Sequence, residues 1–297
     1  LATFELHHLS LAPRLQAGLF DERLSKPDWL RKAFGEQRRF EHRGNLFHWV
    51  PYDTSGAIIG VIERQYPINH YDPPEDGGKP TSSDIWQGAV VTIDPEHHND
   101  GQKLAFERGT KVGQPLAVLS SLVGQLNLID GAPYIITIKA IWDEQSFQTF
   151  ASRHANILKS ITFDFVVPNM FDLSGKLDEK LKQVGEDTGA QHVKLTLESP
   201  DGVKADAPEV QAGVAYGSKG QATLTAVAMD GDRYTSTNKV RTSRVASLLG
   251  QGKALLAVIR DKLDEVLGQD DAGTGGPDRD SDDSGDGQHK PTGRTER

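Results

Sequence analysis

Apolar positions along the chain alternate in some stretches and recur every three or four residues in others. Residues 3–11 alternate, with Phe4, Leu6 and His8 on one side, which is the period of a half-buried strand. The hydropathy pattern predicts further strands over 45–53 and 57–64, a hairpin closed by Asp53-Thr54-Ser55-Gly56. Strands also follow over 86–94, 102–107, 133–142, 157–167, 192–198, 221–229 and 233–236. Helical spacing runs from Pro13 through Leu15, Leu19 and Phe20, and again after Ser25-Lys26-Pro27-Asp28, where Trp29, Leu30, Ala33 and Phe34 form the apolar side. Further helices are expected over 115–126, 144–152, 174–186 and 208–216, and a long one over 242–267, kinked near Gly250 and Gly252. Residues 67–84, rich in Pro, Gly and acids, read as a long loop.

Strands in runs, hairpin links and helices without regular βαβ spacing predict an α+β protein with mostly antiparallel sheets and flanking helices. A break at Pro168 divides the expected body into an α+β lobe over 1–167 and a smaller one over 168–268 that ends in the long helix. Residues 269–297 hold Gly, Asp and Ser with almost no apolar side chains, so they are expected to be a disordered acidic tail.

Charge sharpens this picture. The formal net charge is −9 over 297 residues. The tail carries eight acids against four bases, which leaves −5 on the residues before it. A mildly acidic body argues against coating nucleic acid by bulk charge, but allows a local basic patch. With no cysteine, disulfides, thiolate nucleophiles and Cys-ligated metals are excluded. No apolar run approaches the 18 or so residues of a membrane-spanning helix. The opening alternates and has no basic region before an apolar stretch, so a cytoplasmic protein is the expectation.

Two constellations carry chemistry. Between the strands 86–94 and 102–107 stand Asp94, Glu96, His97, His98 and Asp100. Nitrogen and oxygen donors of this kind suit zinc or manganese, with His97, His98 and Asp100 as ligands and Asp94 or Glu96 as catalytic base. A polar hairpin turn draws on the same residue types. The second constellation is cationic. Arg31, Lys32, Arg38, Arg39 and Arg43 fall within thirteen residues, among Phe34 and Phe40, and Lys239, Arg241, Arg244 and Lys253 cluster later. Cations interleaved with aromatics fit phosphates and stacked bases, and a solvated surface accounts for them equally well. The decisive question is whether the two stretches meet in the fold. No phosphate-binding P-loop, dinucleotide fingerprint or nucleophile elbow occurs.

The runs Trp86-Gln87-Gly88-Ala89-Val90-Val91-Thr92-Ile93-Asp94-Pro95, Asp100-Gly101-Gln102-Lys103-Leu104-Ala105 and Ser160-Ile161-Thr162-Phe163-Asp164-Phe165-Val166-Val167-Pro168-Asn169-Met170-Phe171 carry a resemblance. The chain resembles a family of uncharacterised bacterial cytoplasmic proteins, similar in organisation to the phage-exclusion protein RexA and the Kiwa-system protein KwaB. That resemblance implies a sensing or binding part in antiviral defence. The partner would be DNA, RNA, or a host or phage protein, and self-association into a homo-oligomer is a further expectation. The alternative is a metal-dependent nuclease or hydrolase built on the His97-His98-Asp100 turn. No catalytic residue is carried over from the resemblance.

Overall fold

In the computed structural model, alternation in the first strand decides the layout of the larger layer. The structure describes residues 2–14, 24–96, 102–109, 111–167, 176–245, 259–260 and 262–268, with the side chains of 176–178 left aside. Strand β1 (Ala2–Pro13) pairs along one edge with β6 (Gln102–Arg108). Its other edge is shared: residues 2–5 pair with β12 (Thr242–Val245), and residues 7–13 with β7 (Tyr134–Ala140). Beyond β6 the order continues through β5 (Pro80–Ile93), β4 (Ile58–Tyr71), β3 (Asn45–Asp53) and β2 (Arg38–His42), and these neighbours are antiparallel.

Because side chains alternate across a strand, β1 feeds two cores. Leu9 and Leu11 join a cluster with helices α1 (Lys26–Phe34) and α2 (Pro115–Leu126), which covers one face. Phe4 and Leu6 join Ile59, Val61, Val90 and Ala105 on the other face, under Val266 and Leu267 of a short helix, α6 (Leu263–Leu267). Helix α1 starts where the sequence predicts: the Ser25 side chain accepts from the Asp28 amide and caps the helix, and Trp29, Leu30, Ala33 and Phe34 are buried. Gly60 is demanded by packing, since a Cβ there would sit 2.3 Å from the Trp49 ring.

A second, four-stranded antiparallel sheet has the order β11 (Arg233–Thr235), β10 (Ala222–Ala228), β8 (Leu158–Val166) and β9 (His192–Glu198). Phe163, Phe165, Leu224 and Ala226 pack with residues of α3 (Glu144–Arg153) and α5 (Pro208–Tyr216) into a separate core, and α4 (Lys176–Thr188) adds Leu181. The two sheets meet around Trp142, whose indole donates to the Ala222 carbonyl at 3.2 Å. Nearby, Lys139 on β7 pairs with Asp164 on β8 at 2.8 Å. Gly220 has φ +83, and a Cβ there would lie 2.4 Å from that of His8, so glycine alone lets this segment close onto β1.

The α+β class and the antiparallel pairing expected from the sequence are therefore present. Two expectations fail. Residues 67–84 are no loop: β4 and β5 stay in register out to Tyr71 opposite Pro80, and a short 3-10 turn (Pro74–Asp76) closes them. The terminal helix expected over 242–267 fails at its start, because 242–245 form β12; residues 246–258 lie outside the described residues, and Leu263–Leu267 form the short α6. Apolar residues at helical spacing looked continuous across that stretch, whereas β12 fills the free edge of β1 beside β7. The helix expected from Pro13 through Phe20 and the acidic tail over 269–297 lie outside the described residues. Among the described residues no helix is long and apolar enough to cross a membrane.

Candidate nucleic-acid interface

The hairpin between β2 and β3 turns on two residues, since His42 pairs with Asn45. Such turns need positive φ at both central positions, and here Arg43 has φ 50 and Gly44 φ 71. Asparagine or aspartate normally takes the first of these positions, because a side chain like arginine's is strained there by about 1 kcal/mol. The strained turn places Arg43 in two adjoining clefts of about 660 and 460 Å³, both of which Arg108 and Gln114 also line.

Together these clefts form one groove. Its cations come from four elements: Arg43 from the β2–β3 turn, Arg64 from β4, Arg108 from the end of β6, and Lys111 from the link to α2. Helix α2 begins at its edge, with Gln114 as N-cap, Pro115 first in the helix and no acid in the first turn. Its unpaired amides add partial positive charge to the same place. Arg64 lies 5.6 Å from the Phe47 ring centroid and donates to Asn45 Oδ1 at 2.9 Å. Lys111 stands 4.9 Å over the Tyr66 ring. Among the described residues the one acid in the lining is Glu5, held 3.3 Å from Arg108 Nε. Burial, which outweighs that arginine, raises the Glu5 pKa above the usual carboxylate value. His42 reports the same field. Desolvation, then Arg43 and Arg64, lower its pKa, and its Nδ1 lies 2.8 Å from Ser121 Oγ.

The sequence-predicted cations are thus sorted by the fold. Arg31 pairs with Glu96 and Asp28, and Arg38 with Glu36 and the Ala33 carbonyl, so neither is available to the groove. Arg39 alternates with the buried Phe40 and points to the other side of the sheet, and Lys32 is exposed on α1. Only Arg43 of that stretch lines the groove. The later stretch does reach it, through Thr237, Asn238 and Val240. Its cations do not line it: Lys239 and Arg244 are exposed outside it, and Arg241 lines a smaller cleft with Lys103 and Lys219. Lys253 is outside the described residues.

Sequence reading missed Arg64, Arg108 and Lys111, which stand alone on separate elements. Strand register brings them together, and no local spacing announces it. Of the proposed metal turn, His97, His98 and Asp100 fall outside the described residues. Asp94 Oδ1 accepts from the Glu96 amide at 3.0 Å, as in an Asx turn, and the Glu96 carboxylate is taken by Arg31. Glu96 is thus committed to an ion pair. Among the described residues the group with metal-ligand geometry is instead His154 with Asp230 and Asp232, none of which lines the groove. Comparison with protein-family models, curated proteins and solved structures finds no match to this chain.

Proposed function

We propose that the protein is a binding component that holds single-stranded nucleic acid by its phosphate backbone in the Arg43–Arg64–Arg108–Lys111 groove. The observation that carries this reading is the convergence of four cations from four elements on a groove whose described lining holds one acid, which is itself paired. Phosphates supply the negative charge such a groove needs, and Lys111 and Arg64, both held over the Tyr66 ring, are kept together to meet them. A single strand fits better than a duplex. The outer part of the β4–β5 hairpin, continuous with the strand that supplies Arg64, carries Asp72, Glu75, Asp76 and Asp84 against Lys79, and such charge disfavours a long rigid rod more than a flexible strand. In line with the resemblance noted above, the setting would be the bacterial cytoplasm and the role recognition of invading phage.

The test is fluorescence anisotropy of labelled single-stranded DNA and RNA with the full chain, in EDTA. Binding is expected without metal and weaker for a duplex of equal length. Replacing two of the exposed cations, as Arg43→Asn with Lys111→Gln, is expected to weaken it at least about tenfold. Retention unchanged in that double variant would sink the reading. Cleavage on adding manganese or zinc would move the function to the His97–Asp100 turn.

A further inference from the structure

The geometry points to a divalent-cation site formed by His154, Asp230 and Asp232, where the end of α3 meets the β10–β11 turn, taking zinc or a similar transition ion. His154 follows the last residue of α3 and is 3% exposed. Its Nδ1 lies 2.9 Å from the Phe150 carbonyl. A carbonyl only accepts, so Nδ1 carries the proton and Nε2 is the atom left for other partners. A backbone carbonyl that fixes the ring of a metal-binding histidine in this way is a recurrent outer-sphere device. The Phe150 ring, with its centroid 4.4 Å away, holds the imidazole from one side.

Nε2 faces two carboxylates at once: Asp232 Oδ2 at 3.1 Å and Asp230 Oδ2 at 3.5 Å. One N–H serves one carboxylate well, and a second converging on it goes unused. A cation uses both. Zinc bonds of about 2.0–2.1 Å at tetrahedral angles put neighbouring ligand atoms about 3.3 Å apart, between the two distances found. The carboxylates are set by their turn. Gly231, at φ +94, reverses the chain between them, and the Asp232 amide donates to Asp230 Oδ1 at 3.1 Å, which leaves each Oδ2 toward His154. Both acids are about half-exposed or more, at 49% and 65%, so the remaining coordination positions open to water. One nitrogen and two oxygens favour zinc over magnesium or calcium, which take oxygen alone. The site binds the end of α3 to the β10–β11 turn with a water-accessible face.

Isothermal titration of zinc into the metal-free full chain tests this, read beside ring-nitrogen NMR of His154. One equivalent is expected, with Nε2 shifting on coordination while Nδ1 keeps its proton. Asp230→Asn and Asp232→Asn lie at the surface and leave the fold intact, and each is expected to weaken binding at least about tenfold. The His97→Ala/His98→Ala variant is expected to keep the site. Three outcomes overturn the proposal: no zinc uptake, uptake indifferent to both asparagine variants, or a His154 Nε2 resonance that zinc leaves unmoved.

Discussion

The centre and the rim of the larger sheet obey the same hydrogen-bond geometry and differ in what covers them. The β4–β5 pair shows this within one hairpin. From Ile58 to Ile62, and from Ala89 to Ile93, residues are buried on both faces, whereas Tyr66–Tyr71 and Pro80–Ile85 are largely exposed on both. Register is unbroken across the change. Nine further residue pairs carry the ladder about 30 Å past the last pair buried on both strands. Backbone pairing alone therefore extends a strand, while apolar burial decides where it is stable and where it is free to meet a partner. The proposed groove belongs to the rim, where Arg43 accepts a strained backbone and four cations stand together.

Breaking the centre is expected to have the largest effect. Gly60→Val drives a branched side chain into the Trp49 ring and should cost at least about 3 kcal/mol, measured by urea unfolding. A cost below about 1 kcal/mol would mean the centre gives way far more readily than its packing implies.

Next comes His7, fully buried, with neither ring nitrogen hydrogen-bonded and its pKa lowered by desolvation to about 3. Above pH 6.5 the ring is neutral in both states. Between about 3 and 6.5 only the unfolded chain takes the proton, so stability falls as pH falls, by up to about 1.4 kcal/mol per unit. His7→Leu should flatten that dependence relative to the parent. A parent and variant with parallel profiles from pH 7 to 4.5 would contradict it.

At the rim, Arg43→Asn should raise stability by about 1 kcal/mol, since asparagine tolerates the left-handed conformation that arginine resists. The same change should weaken nucleic-acid binding, so opposite signs in melting temperature and affinity are the expected pair. The smallest effect is predicted for Tyr71→Ala on the outer hairpin, where the ring is 76% exposed: under about 0.5 kcal/mol.

This contrast also explains what the sequence disclosed. Alternating apolar residues betray a strand only where a face is covered, so 45–53, 57–64 and 133–142 were legible and 67–84 was not. Pro67, Pro73, Pro74, Gly77, Gly78 and Pro80 signal a turn, and Pro73–Gly78 do form one at the tip, but Pro67 and Pro80 lie in the ladder on either side. The start of the helix expected over 242–267 shows the opposite failure, because an available edge on β1 recruits Thr242–Val245 as a strand. For the groove, the cationic run at 31–43 was visible, and of its residues Arg43 lines the clefts. Charge count does not reveal that Glu96 and Glu36 occupy two of its arginines, nor that strand pairing brings Arg64 and Arg108 to the survivor.

The most direct test of the central claim is the salt dependence of binding to a single-stranded oligonucleotide, from 50 to 300 mM. Four phosphate contacts predict a slope of log K against log salt near about −2.8, falling toward about −1.4 in Arg43→Asn/Lys111→Gln. A slope near zero, or one that the double variant leaves unchanged, would show that the groove does not hold the strand.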